Sequence, residues 1–311
     1  MKVALIGRTR VLLETAELIL KQGHTIPLVW TCKAEPYYGV NEGDFKELAN
    51  RIGALYVSNV QINKPQNVDL IRHVSCDVAL SVNWPTLVSQ AVIDCFSYGV
   101  LNAHAGDLPR YRGNAPLNWA ILNGEETVGL CIHKMVPELD AGPMLVRTRK
   151  PLTRDTYISD LYDWLYDRAP TMFLEAVNGL AAGTIEETLQ PSDPQKALRC
   201  YPRRPEDGRI DWSRSVEHVY RLIRASSRPF TGAFSAIEGE RRVTIWRAQP
   251  EQSLGAFLAI PGQVCGRVDG DPIVACGDGM IRLLEIEITG ISDQTEAKRL
   301  LHRSLRTRLR S

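Results

Sequence analysis

Residues 78–82 (Val-Ala-Leu-Ser-Val) and 99–104 (Gly-Val-Leu-Asn-Ala-His) decide the fold that we expect for this chain. The first stretch is a continuous apolar strand, and the second begins as a strand at 99–101 that leads to Asn102 and His104. Strands that are apolar throughout are typical of a parallel sheet whose two faces are both covered. We therefore expect Asn102 and His104 just after the carboxyl end of a buried strand, where such sheets bind ligands.

The residues before and after these strands repeat the same pattern. Further strands are predicted at 2–6, 25–30, 54–57 and 127–136, and helices at 11–23, 44–53, 68–74, 88–95 and 157–182. Strands that alternate with helices indicate an α/β domain with a parallel sheet. The loop after the first strand, Gly7-Arg-Thr-Arg10, lacks the spaced glycines of a dinucleotide site, so NAD binding is not expected.

The chain changes character after residue 190. Residues 191–206 are rich in proline and polar side chains, as in a linker, and a helix is expected at about 213–226. Short alternating strands with Gly/Asp turns between them then indicate a small antiparallel barrel; they are predicted at 234–237, 242–248, 262–268, 272–275 and 281–288. We expect a first domain at 1–190 and a barrel domain at 207–311.

The composition excludes several classes of protein. The 311 residues carry a formal net charge of +1, which gives no overall attraction to nucleic acid. The seven cysteines are scattered, without a CxxC pair or a Cys/His cluster, so we expect no metal site and reduced thiols in a cytoplasmic protein. No apolar stretch approaches the length of a membrane span, and the N-terminal apolar run is too short for a signal peptide.

Three residues between 100 and 145 carry groups that suit acyl transfer. The amide of Asn102 can donate to a developing oxyanion, the imidazole of His104 can accept or donate a proton, and Asp140 can hold the charge of the imidazole. No serine or cysteine stands where a nucleophile would be needed. This combination predicts direct transfer to an acceptor, without a covalent enzyme intermediate.

The motifs around these residues resemble those of the formyltransferase family, and the resemblance covers most of the chain. They are Asn102-x-His104, Leu108-Pro-x-Tyr-Arg-Gly113, Pro116-Leu-Asn-Trp-Ala120, Leu139-Asp-Ala-Gly142, Gly208-Arg-Ile-Asp-Trp212 and Leu222-Ile-Arg-Ala225. The resemblance implies a Rossmann-like domain followed by a small OB-like barrel. It also implies that 10-formyltetrahydrofolate is the formyl donor and that an amine is the acceptor.

The resemblance extends to particular site residues. It implies that Asn102, His104 and Asp140 stabilise a tetrahedral intermediate, with His104 protonated as a second donor to the oxyanion. It further implies that Asp140 and the segment after the strand at 78–82 line the folate site, through Trp84, Pro85, Thr86 and Leu87.

Within the family, the chain looks most similar to bacterial sugar-nucleotide formyltransferases, especially the one that acts on UDP-4-amino-4-deoxy-L-arabinose. Cys200-Tyr-Pro-Arg-Arg204 and Arg228-Pro-Phe-Thr-Gly-Ala-Phe234 carry this similarity. A UDP- or dTDP-4-amino sugar brings a diphosphate, which planar guanidinium groups can clamp. The candidate residues for binding it are Arg203, Arg204, Arg8, Arg10 and Arg112, although Arg112 could equally tie down its own loop.

One position departs from the family pattern. Where the family commonly has Ser-Leu-Leu-Pro, this chain has Gly106-Asp107-Leu108-Pro109, so the serine hydroxyl is missing beside the imidazole and Asp107 places a carboxylate there. The change leaves Asn102, His104 and Asp140 intact, so it bears on the substrate rather than on the chemistry. We expect Asp107 to contact the amino sugar.

Other functions stay open on the sequence alone. The same residues could formylate methionyl-tRNA, hydrolyse formyl-folate, or remain in a folate-binding scaffold that has lost activity. Residues 32–46 are slightly acidic, which does not favour tRNA, whereas the basic stretch 298–310 does. That stretch could also be a solvated helix or a frayed tail. His133 could act directly or form only structural hydrogen bonds, and we expect a homodimer through the C-terminal domain.

Overall fold

The computed structural model describes residues 1–237, 241–251, 257–304 and 306–310. The chain forms two compact units. Unit 1 comprises Met1–Pro116, Thr127–Pro151 and Tyr162–Tyr201, and unit 2 comprises Leu117–Glu126, Leu152–Leu161 and Pro202–Ser311. Two short segments of unit 2 therefore interrupt unit 1 in sequence. The expected limits of 1–190 and 207–311 treat each domain as one continuous stretch.

Unit 1 contains nine strands. They are β1 (Lys2–Gly7), β2 (Thr25–Thr31), β3 (Leu55–Ser58), β4 (Val78–Val82), β5 (Val100–His104), β6 (Arg112–Gly113), β7 (Thr127–Lys134), β8 (Met144–Pro151) and β9 (Arg199–Cys200). Seven of them form one sheet in the order β3-β2-β1-β4-β5-β7-β8, and β6 pairs with β9 separately. The first five strands of that order are parallel, whereas β7 and β8 are antiparallel to their neighbours.

Helices cover both faces of this sheet, as strands without polar alternation require. The helices of the chain are α1 (Arg10–Lys21), α2 (Glu42–Ile52), α3 (Pro65–Val74), α4 (Gln90–Ile93), α5 (Pro116–Asn123), α6 (Ile158–Ala182), α7 (Val216–Ser226) and α8 (Gln294–Leu301). In β1, Val3 and Leu5 join a core with α1, α2 and α6, while Ala4 and Ile6 join a second core with α3 and α4. Each fully buried Val, Leu or Ile contributes about 1.5–3 kcal/mol to stability.

Strand β5 places the polar residues differently from our expectation. The strand was predicted to end at 101, but it continues to His104, so Asn102 and His104 belong to it. Pairing with β7 sets Asn102 opposite His133 and His104 opposite Cys131. Paired residues point to the same face of a sheet, which brings His133 to the side of Asn102 and His104.

Unit 2 contains a five-stranded antiparallel sheet. Its strands are β10 (Ala233–Ala236), β11 (Arg242–Glu251), β12 (Val264–Val268), β13 (Asp271–Ala275) and β14 (Met280–Ile288), in the order β10-β11-β14-β13-β12. Val219, Tyr220 and Ile223 of α7 pack into an apolar core with the inner residues of these strands. The predicted fold class, a mixed α/β domain followed by an antiparallel β domain, is confirmed.

The described residues of the C-terminal stretch are anchored to unit 2, unlike the solvated helix or frayed tail that the sequence also allowed. Ala297 and Leu301 of α8 are fully buried, and Leu309 is only 1% exposed. The Leu309 amide donates to the Gly262 carbonyl at 2.8 Å, and the Arg310 amide donates to the Ala236 carbonyl at 2.8 Å. Three buried apolar residues thus anchor a stretch that is rich in lysine and arginine, and Arg308 and Arg310 pair beside the two edge strands of the sheet.

Within the described part of the chain, no helix combines the length and the apolar character that are needed to cross a membrane.

Candidate active site

His104 lies at the end of β5 and is 6% exposed. Its Nε2 is 2.6 Å from the carbonyl oxygen of Tyr111. Because a carbonyl only accepts, Nε2 carries the hydrogen, and Nδ1 is left to face Asp140 Oδ2 at 3.4 Å. A Cβ on Gly106 would lie 2.6 Å from His104 Nε2 and from the Tyr111 carbonyl oxygen, so only glycine allows this approach of loop and ring.

Asp140 stands in a turn with a left-handed backbone, at φ = 50°. Its Oδ2 accepts a hydrogen bond of 2.7 Å from the backbone amide of Gly113, which belongs to β6. The backbone carbonyls of Asp140 and Gly142 both accept from Gln190 Nε2 at 2.8 Å. Asp140 is therefore held both through its carboxylate and through its backbone carbonyl.

Charge on this pair follows from burial and proximity. Burial alone would raise the pKa of Asp140, but the charge of His104 and hydrogen bonds that include the one from Gly113 lower it to about 2. Burial is the largest influence on His104 and lowers its pKa, even though the Asp140 carboxylate acts in the opposite direction. The carboxylate of Asp140 is therefore ionised at neutral pH, while burial disfavours the imidazolium form of His104 and the carboxylate favours it.

Asn102 is joined to this pair through His133. The Nδ1 of His133 donates to the Lys134 carbonyl at 2.9 Å, so its Nε2 is free to accept from Asn102 Nδ2 at 3.2 Å. His133 Nε2 also lies 3.5 Å from Asp140 Oδ1. The structure therefore brings Asn102, His104 and Asp140 into one cluster, and His133, which is 1% exposed, connects them.

Asp107 has two charged partners that its sequence motif does not indicate. Its Oδ1 accepts from Arg147 and, at 3.0 Å, from Arg149, both on β8. Burial would raise the pKa of Asp107, but these two guanidinium groups lower it. The carboxylate is thus ionised and already paired, and it ties the loop after β5 to β8, which argues against the expected contact with an amino sugar.

The predicted folate segment follows β4 directly. Trp84 is half-buried and packs against the core formed with α3 and α4. Its Nε1 donates to Thr86 Oγ1 at 3.0 Å. Pro85, Thr86 and Leu87 are exposed, with Leu87 at 69%. In this segment the indole of Trp84 is therefore anchored, and the three residues after it are exposed.

The two arginines after β1 are engaged with their own surroundings. Arg8 donates to the carbonyls of Asn83 and Lys33 and pairs with Glu35 at 3.2 Å. Arg10 lies over the ring of Tyr166, 4.1 Å from its centroid. Both therefore connect loops and helices within unit 1, which leaves them poorly placed as free cations for a diphosphate.

The remaining predicted arginines differ in how far they are committed. Arg112 donates through Nε and Nη2 to Gln190 Oε1, at 3.0 and 2.6 Å, and so ties down its own loop. Arg203, in unit 2, donates to the Asp207 carbonyl and to Ser226 Oγ at 3.1 and 3.2 Å, and burial lowers its pKa. Arg204 is exposed.

Three groups that form hydrogen bonds in this cluster were not predicted from the sequence. The Gly113 amide and Gln190 hold Asp140, and the Tyr111 carbonyl holds His104. Two of these groups belong to the backbone, which no side-chain motif announces, and Gln190 lies 50 residues after Asp140 in the chain. Among the described residues, no group of three or more His, Cys, Asp or Glu side chains is arranged to hold a metal ion.

Comparison with known proteins gives the family. The formyl transferase family matches residues 1–177, and the formyl transferase C-terminal domain matches residues 203–298. The methionyl-tRNA formyltransferase of Citrifermentans bemidjiense is 30% identical over 297 residues, which cover 93% of this chain and 90% of that protein.

Solved structures show a similar fold at low identity. HypX from Aquifex aeolicus, in complex with tetrahydrofolic acid, has a TM-score of 0.61 and 19% identity; the match covers 92% of this chain and 44% of HypX. This chain therefore spans less than half the length of HypX. The N-formyltransferase of Helicobacter canadensis, in complex with folinic acid and dTDP-3-aminofucose, has a TM-score of 0.64 and 15% identity, with 91% and 98% covered.

The paired matches at both ends of the chain, and the relative that aligns over almost its whole length, identify this protein as a member of the formyl transferase family.

Proposed function

We propose that this formyltransferase transfers the formyl group of 10-formyltetrahydrofolate to the primary amine of an amino-sugar nucleotide, a UDP- or dTDP-4-amino sugar. The observation that carries the chemistry is the buried cluster in which Asp140 lies 3.4 Å from His104 Nδ1 and His133 fixes Asn102. It combines an oxyanion donor with a proton acceptor.

Asn102 is the donor to the oxyanion. One N–H of its amide is held by His133 Nε2, which leaves the second N–H for the formyl oxygen as negative charge develops there. A donor that is fixed before the reaction does not have to reorganise, and one such donor is worth about 3 kcal/mol in comparable acyl-transfer sites. His133 is thus a structural partner of Asn102 rather than a second base.

His104 is the acceptor of the proton that the amine must lose. The acceptor attacks as a neutral amine, and its nitrogen gains positive charge when it bonds to the formyl carbon. An uncharged His104 can take up that proton at Nδ1, directly or through water, and Asp140 then stabilises the resulting imidazolium. Burial, which lowers the pKa of His104, keeps the base unprotonated near neutral pH.

The folate donor is supported by the family and by relatives. HypX and the Helicobacter enzyme were each solved with a folate derivative, tetrahydrofolic acid and folinic acid respectively. In this chain, the exposed segment Pro85–Leu87 beside the anchored Trp84 is the candidate wall for the pterin. The apolar Leu87, at 69% exposure, is a side chain that a bound ring could cover.

The acceptor class is supported by sequence motifs and by a solved relative. The motifs around Arg203 and Arg204 resemble those of sugar-nucleotide formyltransferases, and the Helicobacter relative was solved with a dTDP-amino sugar. Exposed Arg204 is the better candidate for the diphosphate, since Arg203 is already bonded to Asp207 and Ser226. The cytoplasmic location and the homodimer stay predictions.

Methionyl-tRNA is the second candidate acceptor, because the Citrifermentans relative formylates it by name. The basic C-terminal stretch would be the place for phosphate contacts. However, Lys298 of that stretch pairs with the buried Asp271 at 2.7 Å, so this charge serves the fold of unit 2.

Acceptor-dependent turnover tests the proposal. The purified protein and 10-formyltetrahydrofolate are mixed with UDP- and dTDP-4-amino sugars or with methionyl-tRNA, and both tetrahydrofolate release and acceptor mass are followed. We expect a formylated sugar nucleotide that His104→Ala forms about 10³-fold more slowly. Formylation of methionyl-tRNA alone would replace the acceptor, and folate binding without turnover on any acceptor would overturn the catalytic proposal.

A further inference from the structure

Gln190 uses the full hydrogen-bonding capacity of its amide beside the catalytic turn. Its Nε2 donates to the carbonyls of Asp140 and Gly142, both at 2.8 Å. Its Oε1 accepts from Nε and Nη2 of Arg112, at 3.0 and 2.6 Å. An amide offers two hydrogens and two lone pairs, so this half-buried side chain has no further bond to make.

These bonds close a ring around the carboxylate of Asp140. Arg112, which Gln190 holds, is followed directly by Gly113, whose amide donates to Asp140 Oδ2 at 2.7 Å. Gln190 also holds the backbone of Asp140 itself. The carboxylate is thus fixed at two points, and Gln190 is a member of both connections.

The turn that carries Asp140 needs such support. A residue other than glycine with φ = 50° lies in a sparsely populated region of backbone space, which persists where its surroundings hold it. Gly142 approaches the Lys134 carbonyl so closely that a Cβ would collide with it. Gln190 bridges the two carbonyls of this turn, and it reaches them from a segment after α6 that is distant in sequence.

We propose that Gln190 is a positioning residue, which acts on the reaction by holding the Asp140 carboxylate against His104 through the turn and through Arg112. The inference rests on the proposed function, in which Asp140 stabilises the protonated His104. Gln190 itself touches neither substrate in this account. Without it, the turn relaxes, and a displacement of about 1 Å at a reacting group can cost on the order of 100-fold in rate.

The test compares three variants with matched assays of formyl transfer. For Gln190→Ala we expect kcat to fall about 10- to 100-fold, while KM for 10-formyltetrahydrofolate changes less than about twofold. Gln190→Glu keeps the acceptor for Arg112 but loses both donors to the turn, and we expect it to be as slow as Gln190→Ala. Gln195→Ala is the control, an exposed glutamine five residues later, and it should retain the wild-type kcat.

Asp140→Asn separates the two levels of the proposal. If Asp140→Asn is severely slowed while Gln190→Ala keeps kcat within about threefold of wild type, Gln190 does not position the carboxylate and the inference fails alone. If Asp140→Asn itself retains the wild-type kcat, the catalytic role of Asp140 fails first. A nearly active Gln190→Glu would also overturn the inference, and this variant decides the matter if Gln190→Ala does not fold.

Discussion

Both units have apolar cores, but unit 1 also contains a polar cluster around the end of β5. In unit 1, Asn102, His104, His133 and Asp140 form a polar cluster with contacts of 3.2–3.5 Å between them. In unit 2 the interior is an apolar core built from α7, α8 and five strands, and even Leu309 near the C-terminus belongs to it.

Substitutions in these two places should therefore change different properties. The stabilising free energy of apolar burial is proportional to the buried area and does not depend on direction. Truncation of a core residue in unit 2 therefore lowers the free energy of unfolding. A polar cluster acts through orientation and charge, so a truncated member in unit 1 lowers the rate of the reaction. The following predictions separate these two effects.

The largest effect is expected at His104. His104→Ala removes the proton acceptor, and general-base catalysis is worth roughly 10²–10⁴-fold, so kcat should fall about 10³-fold in the steady-state formylation assay. His73→Ala, at an exposed histidine of α3, is the control and should be unchanged. A His104→Ala enzyme within tenfold of wild type would show that another group takes the proton.

Leu309→Ala tests whether the apolar core of unit 2 determines stability rather than activity. Truncating this buried leucine should lower the free energy of unfolding by about 3 kcal/mol, because it leaves a cavity between the C-terminal segment and the sheet. Urea unfolding followed by circular dichroism measures the loss, and kcat well below the melting temperature should change less than about twofold. Arg303→Ala, at an exposed position of the same stretch, should leave both unchanged. Equal stability of Leu309→Ala and wild type would mean that the segment is not anchored.

Asn102→Ala should lower kcat about 100-fold, since one oxyanion donor is lost. The KM for the formyl donor should change little, because the hydrogen bond to the formyl oxygen strengthens only in the transition state. Asn50→Ala on the exposed face of α2 provides the matched control. A rise in KM at constant kcat would instead assign Asn102 to substrate binding.

The smallest change concerns the pKa of His104. Burial lowers this pKa from its ordinary value of 6.5, so ¹⁵N NMR of the labelled imidazole should give a midpoint below 6.5. Asp140→Asn should lower it further, because the carboxylate opposes the effect of burial. Since the unfolded chain then binds the proton more tightly, the free energy of unfolding should fall as the pH drops from 6.5 towards the lower pKa. A midpoint above 6.5 would show that burial does not lower this pKa.

Much of the fold could be predicted because apolar patterns report burial directly. The strand at 78–82 has the same limits in the structure, and the helix predicted at 157–182 begins one residue later. The end of β5 could not be predicted, because the polar Asn102 and His104 look like loop residues until they pair with β7. In the same way, the few apolar residues of the basic C-terminal stretch reveal their burial only in three dimensions.

In the candidate site, too, some residues could be predicted from the sequence and others could not. Asn102, His104 and Asp140 stand out by residue type and motif, and the structure brings them together. Their supports do not stand out, because the Gly113 amide and the Tyr111 carbonyl are backbone groups and Gln190 belongs to no motif. The ion pairs of Asp107 with Arg147 and Arg149 were equally hidden, since β8 meets that loop only in the folded chain.

Competition for one limiting pool of labelled 10-formyltetrahydrofolate tests the proposed acceptor and the proposed chemistry together. Equal concentrations of a UDP-4-amino sugar, a dTDP-4-amino sugar and methionyl-tRNA are offered together, and the distribution of the labelled formyl group is measured by mass. We predict that the label enters a sugar nucleotide and that His104→Ala transfers it about 10³-fold more slowly. Label found predominantly on methionyl-tRNA would contradict the proposed acceptor, and label transferred undiminished by His104→Ala would contradict the proposed chemistry.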